Sequence, residues 1–224
     1  MGLQLAPGEP AAGPWRAETL STVVEALIRS GPDPAACGHA VVLAVDGRSN
    51  SGKTTLAARI GDVVPGAAIV HTDDIAWGHS RFGWADLLIE GILGPLRRGR
   101  AVSYRPPGWG DHSPEGSVKV PADCPVVVIE GDGAGRQEVA GLIDALIWVQ
   151  SDEREAERRA VTRIGKPGES PTLWHHREWM AEEIPFNAAQ RTWERADLIV
   201  CGTPEIPYDP ATQIVVAPPM PSVS

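Results

Sequence analysis

Lysine is scarce in this chain, and acidic residues outnumber basic ones. The three lysines, Lys53, Lys119 and Lys166, stand among 20 basic residues, and the formal net charge is −9. This negative net charge argues against general nucleic-acid binding, which favours a basic face, so we expect no nucleic-acid partner. Phosphate binding stays open, because one positive site can exist on an acidic protein.

Cysteine is rare, and long apolar runs are absent from the sequence. The cysteines, Cys37, Cys124 and Cys201, are far apart and form no Cys-x-x-Cys pair, so we predict neither a zinc site nor a disulfide framework. Such isolated thiols fit a reducing cytoplasm. No apolar run approaches the roughly 20 residues of a membrane-spanning helix, so no membrane partner is expected. Residues 1–14 are rich in Pro, Gly and Ala and lack the features of a secretion signal, which favours a cytoplasmic protein with a disordered N-terminal tail.

Short apolar segments alternate with helical patterns along residues 15–224, which we expect to form one domain. Apolar runs predict strands at 39–46, 67–71, 125–130, 145–150 and 197–201, a short strand at 101–105 and an edge strand at 213–217. Helical spacing predicts helices over 17–28, 53–60, 84–98, 152–163 and, interrupted near Pro185, 171–196. This alternation predicts an α/β three-layer sandwich around a mainly parallel five-stranded sheet.

A glycine-rich stretch directly after the first buried strand matches G-x-x-x-x-G-K-[ST] over residues 47–54. The two glycines let successive backbone N–H groups point into one concavity, and the next helix directs its positive end at the same place. Lys53 would bind the β- and γ-phosphates, and the Thr54 hydroxyl would complete a Mg²⁺ shell. The predicted nucleotide-binding residues are Gly47, Ser49, Asn50, Ser51, Gly52, Lys53, Thr54 and Thr55.

Two strand ends supply the carboxylates that phosphoryl transfer needs to position an acceptor and to anchor a metal. Asp73 and Asp74 follow the strand at 67–71, and Glu130 ends the strand at 125–130. The carboxyl ends of parallel strands share one edge with the phosphate loop, so these side chains can converge on the γ-phosphate. Helix capping by the aspartates and a surface turn at Glu130 are the alternative interpretations.

Four segments together resemble a known family. GRSNSGKTT, HTDDIAW, VVVIEGDGAG and a later arginine-rich helix resemble the uridine kinase/phosphoribulokinase-type P-loop kinases, in particular the uridine-kinase-like branch, over roughly residues 39–203. The resemblance implies a transfer that depends on ATP and Mg²⁺, with Asp73 as general base to the substrate hydroxyl. It also implies that Glu130 assists the metal and the acceptor site, so that Thr54, Asp73 and Glu130 would surround the Mg²⁺ ion.

The arginine-rich helix predicts a lid over the site, about residues 152–184. Lid arginines in kinases neutralise charge on the transferring phosphoryl group, and the resemblance implies Arg159 and Arg163 for this role. The alternative is a solvated helix in which Glu155 pairs with Arg159. Residues 164–169 form a Gly- and Pro-containing turn that we expect to be mobile.

The segment 104–109 is the predicted acceptor-binding region. Tyr104, Arg105 and Trp109 suit stacking on and hydrogen bonding to a substrate, and Asp74 is the fourth predicted substrate contact. Related uridine kinases carry an acidic residue where this chain has Gly108, so the resemblance does not specify uridine. We therefore predict a kinase for a nucleoside-like or other small hydroxyl-bearing metabolite, and leave open whether it forms a homo-oligomer.

The alternative function is that of a non-kinase P-loop protein. A GTP-dependent switch would carry a guanine-reading Asn-Lys-x-Asp motif, which neither Asn50 nor Asn187 begins. A transport ATPase would carry an LSGGQ-like signature, which the sequence lacks. A chain that binds nucleotide without phosphoryl transfer is also compatible with the glycine at position 108.

Overall fold

The secondary structure follows the predicted alternation of strands and helices. A computed structural model describes residues 3–110, 115–164, 166 and 172–220. The strands are β1 (Arg16–Thr19), β2 (Val41–Gly47), β3 (Ala68–His71), β4 (Val102–Tyr104), β5 (Val118–Val120), β6 (Val126–Glu130), β7 (Ala145–Gln150), β8 (Leu198–Cys201) and β9 (Gln213–Ala217). The α-helices are α1 (Leu20–Ser30), α2 (Pro34–Cys37), α3 (Lys53–Val63), α4 (Thr72–Ala76), α5 (Ala85–Leu88), α6 (Gly94–Arg97), α7 (Glu153–Arg163) and α8 (Leu173–Gln190). Two 3₁₀ segments cover Gln137–Leu142 and Thr192–Glu194.

Seven strands form the main sheet, in the order β1-β9-β8-β7-β2-β6-β3. The five strands from β8 to β3 are parallel, and Glu130 of β6 lies between Val45 of β2 and His71 of β3. This confirms the predicted α/β class and its parallel core. The predicted strand count was too low, because β1 pairs antiparallel with β9 and removes it from the sheet edge. The four residues of β1 are too few to show a clear alternation of apolar and polar residues in the sequence. They form a strand because they pair with β9.

Helices cover both faces of the sheet, as a three-layer sandwich requires. On one face, Val24 of α1 and Ile60 of α3 pack against alternate residues of the central strands. On the other face, Leu88 of α5, Leu96 of α6 and Trp148 of β7 belong to a second core cluster. Each fully buried side chain of this kind contributes about 1.5–3 kcal/mol. Among the described residues, no helix has both the length and the apolar character needed to cross a bilayer.

The helix predicted over 84–98 is continuous but contains a wider π-helical turn at Ile89–Leu93. The N–H of Gly94 bonds the carbonyl of Ile89, one residue further back than in an α-helix. Pro95 has no N–H to donate to the preceding turn, so a change of helical hydrogen bonding at this point is expected. The strand predicted at 101–105 exists as β4, but it forms a separate antiparallel hairpin with β5.

Helices α7 and α8 occupy the region predicted as a lid. The predicted interruption near Pro185 is wrong, because α8 runs through this residue to Gln190. Glu183 and Asn187 on either side of the proline are buried, so packing against the rest of the chain holds this part of the helix. Of the turn predicted at 164–169, only residues 164 and 166 are described. Residue 171, where the predicted helix begins, also lies outside the described residues.

The N-terminal segment differs from the predicted disordered tail. Glu9 is buried, and its Oε1 accepts hydrogen bonds from Trp148 Nε1 at 2.6 Å and from Gln150 Nε2 at 2.9 Å. Gln150 in turn accepts the Ala12 N–H at 2.9 Å. Residues 3–14 therefore follow β7, and buried polar contacts of this kind are invisible in a composition rich in Pro, Gly and Ala.

Glu9→Ala is expected to lower the free energy of unfolding by about 1–3 kcal/mol, because two buried N–H donors lose their shared acceptor. Urea unfolding followed by circular dichroism measures this loss. Glu25→Ala, at an exposed position of α1, is the control and should change stability by less than about 0.5 kcal/mol. Equal stability of Glu9→Ala and the unaltered chain would show that the N-terminal segment does not dock on β7.

Candidate active site

The phosphate loop is a tight connection between β2 and α3. Gly47 ends β2 with a φ of 153°, and a Cβ at this position would lie 2.6 Å from the carbonyl oxygen of Val149. Gly52 has a φ of 106° directly before α3 begins at Lys53. Both backbone conformations favour glycine, so the motif and the loop geometry agree. The loop delivers the N-terminal end of α3, with its backbone N–H groups, to the carboxyl edge of the sheet.

A cavity of about 540 Å³ lies beside this loop, within the usual size range of small-molecule sites. The predicted nucleotide-binding residues among its lining are Asn50, Ser51, Gly52, Lys53, Thr54 and Thr55. The remaining lining includes Arg159 and Arg163 of α7, and Gly202 and Tyr208 from the segment after β8. The fold thus encloses the loop's outer side with residues from two distant parts of the sequence.

The arginines of α7 contact the phosphate loop at Asn50. Arg159 donates from Nη1 to the Asn50 carbonyl at 3.2 Å and from Nη2 to the Gly202 carbonyl at 3.0 Å. Arg163 donates to the Asn50 Oδ1 at 3.2 Å. The ion pair of Arg159 with Glu155 is also present, at 3.0 Å. Arg159 therefore pairs along its helix and also contacts the phosphate loop beside the cavity.

Lys53 is buried and hydrogen-bonded on two sides. Its Nζ donates to the carbonyl of Arg48 at 2.8 Å and to Oδ1 of Asp132 at 2.5 Å. Burial by itself would lower the pKa of Lys53, but the charge and the hydrogen bond of Asp132 outweigh burial and raise it. Lys53 is therefore held as an ammonium ion within the loop.

Glu130 connects the phosphate loop to the end of β3. Its Oε1 accepts the Thr54 hydroxyl at 3.0 Å, and its Oε2 lies 2.7 Å from Nδ1 of His71. Burial opposes ionisation of Glu130, but the His71 hydrogen bond and the charge of Lys53 hold its pKa below the ordinary value. The same contact raises the pKa of His71. Glu130 is thus an ionised carboxylate next to a hydroxyl, with oxygen atoms that suit a magnesium ion.

Asp73 stands in the first turn of α4, at the end of β3. Asp73 is solvent-exposed, but desolvation of its carboxyl group by the surrounding protein and the negative charges of Asp132 and Glu130 raise its pKa to about 6, although Lys53 counteracts them. Asp73 and Glu130 are neighbours whose pKa values move in opposite directions. Such a divergence separates a proton-accepting carboxylate from one that stays ionised.

Two carboxylates at the loop were not predicted as site residues. Asp132 bonds Lys53 and accepts the Ser49 hydroxyl at 2.8 Å, while Glu183 of α8 accepts the Ser49 backbone N–H at 2.6 Å. Burial and the charge of Asp132 raise the pKa of Glu183 to about 7. Asp132 could have been found in the sequence, because it follows Glu130 by two positions. Glu183 carries no such signal, since only the fold brings α8 to the loop.

The predicted acceptor-binding residues are held mainly by contacts within their own region. Trp109 is buried, and its Nε1 donates to the backbone carbonyl of Asp74 at 2.7 Å. Arg105 lies over the Trp109 ring and donates to the carbonyl of Gly116 at 2.8 Å. Tyr104 packs against the core at the helix that precedes β4. The structure therefore gives Trp109 a packing role in place of the predicted open stacking surface, because the hairpin folds back onto α4.

Two solved structures resemble the chain in fold. One is a candidate uridine kinase from Bacillus stearothermophilus, with 18% sequence identity and a TM-score of 0.51, and the match covers 80% of this chain and 96% of that one. The other is a candidate fructose transport system kinase from Silicibacter sp. TM1040, with 19% identity, a TM-score of 0.53 and coverage of 78% and 94%. No protein-family model and no curated protein matches the sequence. The chain thus has the fold of P-loop kinases, and similarity at this identity establishes the fold alone.

Asp46, the residue before the loop, is fully buried and connects β2 to the segment after β6. Its carboxylate accepts the backbone N–H groups of Gly47 at 2.7 Å, Gly133 at 3.0 Å and Gly135 at 2.9 Å. Burial raises its pKa to about 6, and the three N–H donors limit this rise. The carboxylate therefore holds the phosphate loop and the Asp132 segment in fixed relative positions.

Asp46→Asn is expected to destabilise the protein by about 1–3 kcal/mol, because the new amide NH₂ group would face backbone N–H donors. Urea unfolding at pH 7 measures the loss. Asp62→Asn, at an exposed position of α3, is the matched control and should leave the transition unchanged. An unaltered unfolding midpoint for Asp46→Asn would contradict the role assigned to the Asp46 carboxylate.

Proposed function

We propose that this protein is an ATP-dependent kinase that transfers the γ-phosphoryl group to a hydroxyl of a nucleoside-like or other small metabolite. The observation that carries the proposal is the meeting of Lys53 and Thr54 with Glu130, Asp132 and Asp73 at one edge of the sheet. A phosphate loop alone only binds a nucleotide. The carboxylates beside it supply what transfer to a hydroxyl requires in addition.

The nucleotide half of the site is formed by the loop and its cavity. The backbone N–H groups at the start of α3 and the Lys53 ammonium would bind the phosphates. The cavity bounded by Arg159, Arg163 and Tyr208 has room for the nucleoside part. In this arrangement Arg159 and Arg163 act mainly on the nucleotide side, since their contacts at Asn50 direct them to this cavity.

Thr54 and Glu130 have side-chain oxygens that suit the magnesium ion that accompanies ATP. Thr54 Oγ1 and Glu130 Oε1 lie 3.0 Å apart and are oxygen ligands of the kind that Mg²⁺ prefers. The described residues contain no group of three or more His, Cys, Asp or Glu side chains suited to hold a metal alone. This agrees with an ion held by a few protein oxygens together with phosphates and water. When bound, Mg²⁺ neutralises charge on the phosphates.

Asp73 is the proposed general base. Its raised pKa of about 6 leaves the carboxylate ionised at neutral pH, yet basic enough to accept a proton from a hydroxyl. As the acceptor oxygen bonds to the γ-phosphorus and the bond to the leaving ADP oxygen breaks, Asp73 takes the hydroxyl proton. Glu130 stays ionised and fixes the Thr54 hydroxyl during this step.

Formation of ADP that depends on a hydroxyl acceptor tests the function. We expect turnover with Mg-ATP and at least one member of a panel of nucleosides, sugars and small alcohols. Lys53→Ala should lower the rate about 10²–10³-fold through loss of charge stabilisation, while Lys119→Ala, at an exposed position of β5, should match the unaltered chain. Hydrolysis of ATP at one rate with every compound would favour the alternative of a non-kinase NTPase.

Asp73→Asn is expected to reduce the transfer rate about 10²–10⁴-fold while leaving nucleotide affinity within a factor of about two, because it removes a proton acceptor and no phosphate ligand. In the unaltered chain, kcat/KM should rise as pH increases through about 6, where Asp73 loses its proton. Rate measurements between about pH 5 and about pH 8, on both sides of that pKa, measure both effects. An acidic limb that persists unchanged in Asp73→Asn would assign the base to another residue.

A further inference from the structure

The backbone N–H of Ser49 is engaged by a helix that lies far away in the sequence. Glu183 of α8 accepts this N–H at 2.6 Å, and the two residues are 134 positions apart. Ser49 is the third residue of the phosphate loop and a predicted nucleotide-binding residue, and it directly precedes Asn50, the first loop residue that lines the cavity. A side-chain carboxylate therefore occupies a backbone donor of the loop that is proposed to bind the phosphates.

The position of Glu183 is strongly defined. It is 1% exposed, its Oε2 accepts the Trp179 Nε1 at 3.1 Å, and Asn187 Nδ2 lies 3.5 Å from its Oε1. Burying a carboxylate is unfavourable unless N–H donors and positive charge compensate it. Here the compensation comes from Ser49, Trp179 and the charge of Lys53. Glu183 is thus held in the site by hydrogen-bond donors from Ser49 and from α8 itself, and by the nearby charge of Lys53.

The same helix also contacts the segment after α4, which follows Asp73. Arg81, in the segment after α4, pairs with Glu182 and lies 3.6 Å from Glu178. Phe82 stacks on Phe186 with ring centroids 4.2 Å apart. One face of α8 therefore connects the phosphate loop to the segment that follows the Asp73 helix.

We propose that Glu183 is an internal competitor for the phosphate cradle, so that α8 closes on the loop through Ser49 and a bound triphosphate must displace it. One N–H cannot serve two anions at hydrogen-bonding distance, and a phosphate oxygen next to Glu183 would bring like charges together. The proposal rests on the nucleotide-binding part of the proposed function. It also means that nucleotide binding would loosen the contacts of α8 with the segment after α4, which follows Asp73.

Glu183→Gln tests the competition by removing the charge while retaining the size and an acceptor oxygen. At about pH 8, where the Glu183 carboxyl with its pKa of about 7 is mainly ionised, the affinities for Mg-ATP and for inorganic tripolyphosphate are measured by isothermal titration calorimetry. Each is expected to increase about tenfold, the effect of one charge-assisted hydrogen bond. Glu25→Gln, at an exposed position of α1, is the control and should leave both affinities unchanged.

The outcomes separate this inference from the function on which it rests. Weaker binding in Glu183→Gln would make Glu183 part of the phosphate site and overturn the competition. Unchanged binding in a chain that binds Mg-ATP would also overturn it, while the kinase proposal would stand. No binding of either ligand by the unaltered chain and by Glu183→Gln would overturn both, because a cradle relieved of its competing charge should bind phosphate.

Tryptophan fluorescence supplies a readout that a purely structural role of Glu183 would not change. Trp179 donates to Glu183, so displacement of Glu183 should alter the environment of the Trp179 indole. We expect Mg-ATP to change the emission spectrum of the unaltered chain, and most of this change to disappear in Trp179→Phe. Binding of Mg-ATP without an emission change that depends on Trp179 would show that Glu183 stays in place and would overturn the displacement.

Discussion

One buried ammonium group holds the centre of this structure together. The carboxylates of Asp132, Glu130 and Glu183 all raise the pKa of Lys53, and Lys53 in turn limits the rise in the pKa of Asp73. These carboxylates come from α4, β6, the segment after β6 and α8, so their repulsion would disperse the site without a shared positive charge. A buried cluster of this kind is strongly destabilised when one partner is removed. The phosphate loop is therefore a phosphate-binding motif and also the counter-charge for the carboxyl edge of the sheet.

The parallel sheet explains why the carboxylates meet there. Strands β2, β6 and β3 are neighbours, and their register places Glu130 next to both Val45 and His71. The carboxyl ends of these strands therefore lie side by side at one edge of the sheet. The phosphate loop follows β2 there, and the turn that carries Asp73 follows β3. Ligands of open α/β sheets bind at this edge for the same reason. This chain and the two kinase-fold structures share the overall fold at identities of 18% and 19%.

Local chemistry made part of the site predictable. The glycines, Lys53 and Thr54 form a contiguous pattern, and Glu130 ends an apolar run, so each position can be recognised without knowledge of the fold. Glu183 could not be recognised, because its helix contains several glutamates and only packing selects the one that reaches Ser49. The predicted stacking role of Trp109 differs from the structure for another reason. Its residue type suits substrate stacking, but the hairpin turns its ring into the core.

The amino-acid sequence by itself determined the α/β alternation, the phosphate loop and the strand ends that carry Asp73 and Glu130. These features depend on short-range periodicity and on residue types that the backbone conformation demands. Only the tertiary structure decided that residues 3–14 dock on β7, that β1 completes the sheet, and that α8 places Glu183 on the loop. Those contacts join residues more than a hundred positions apart, and their stability comes from burying polar partners together, which no local pattern records.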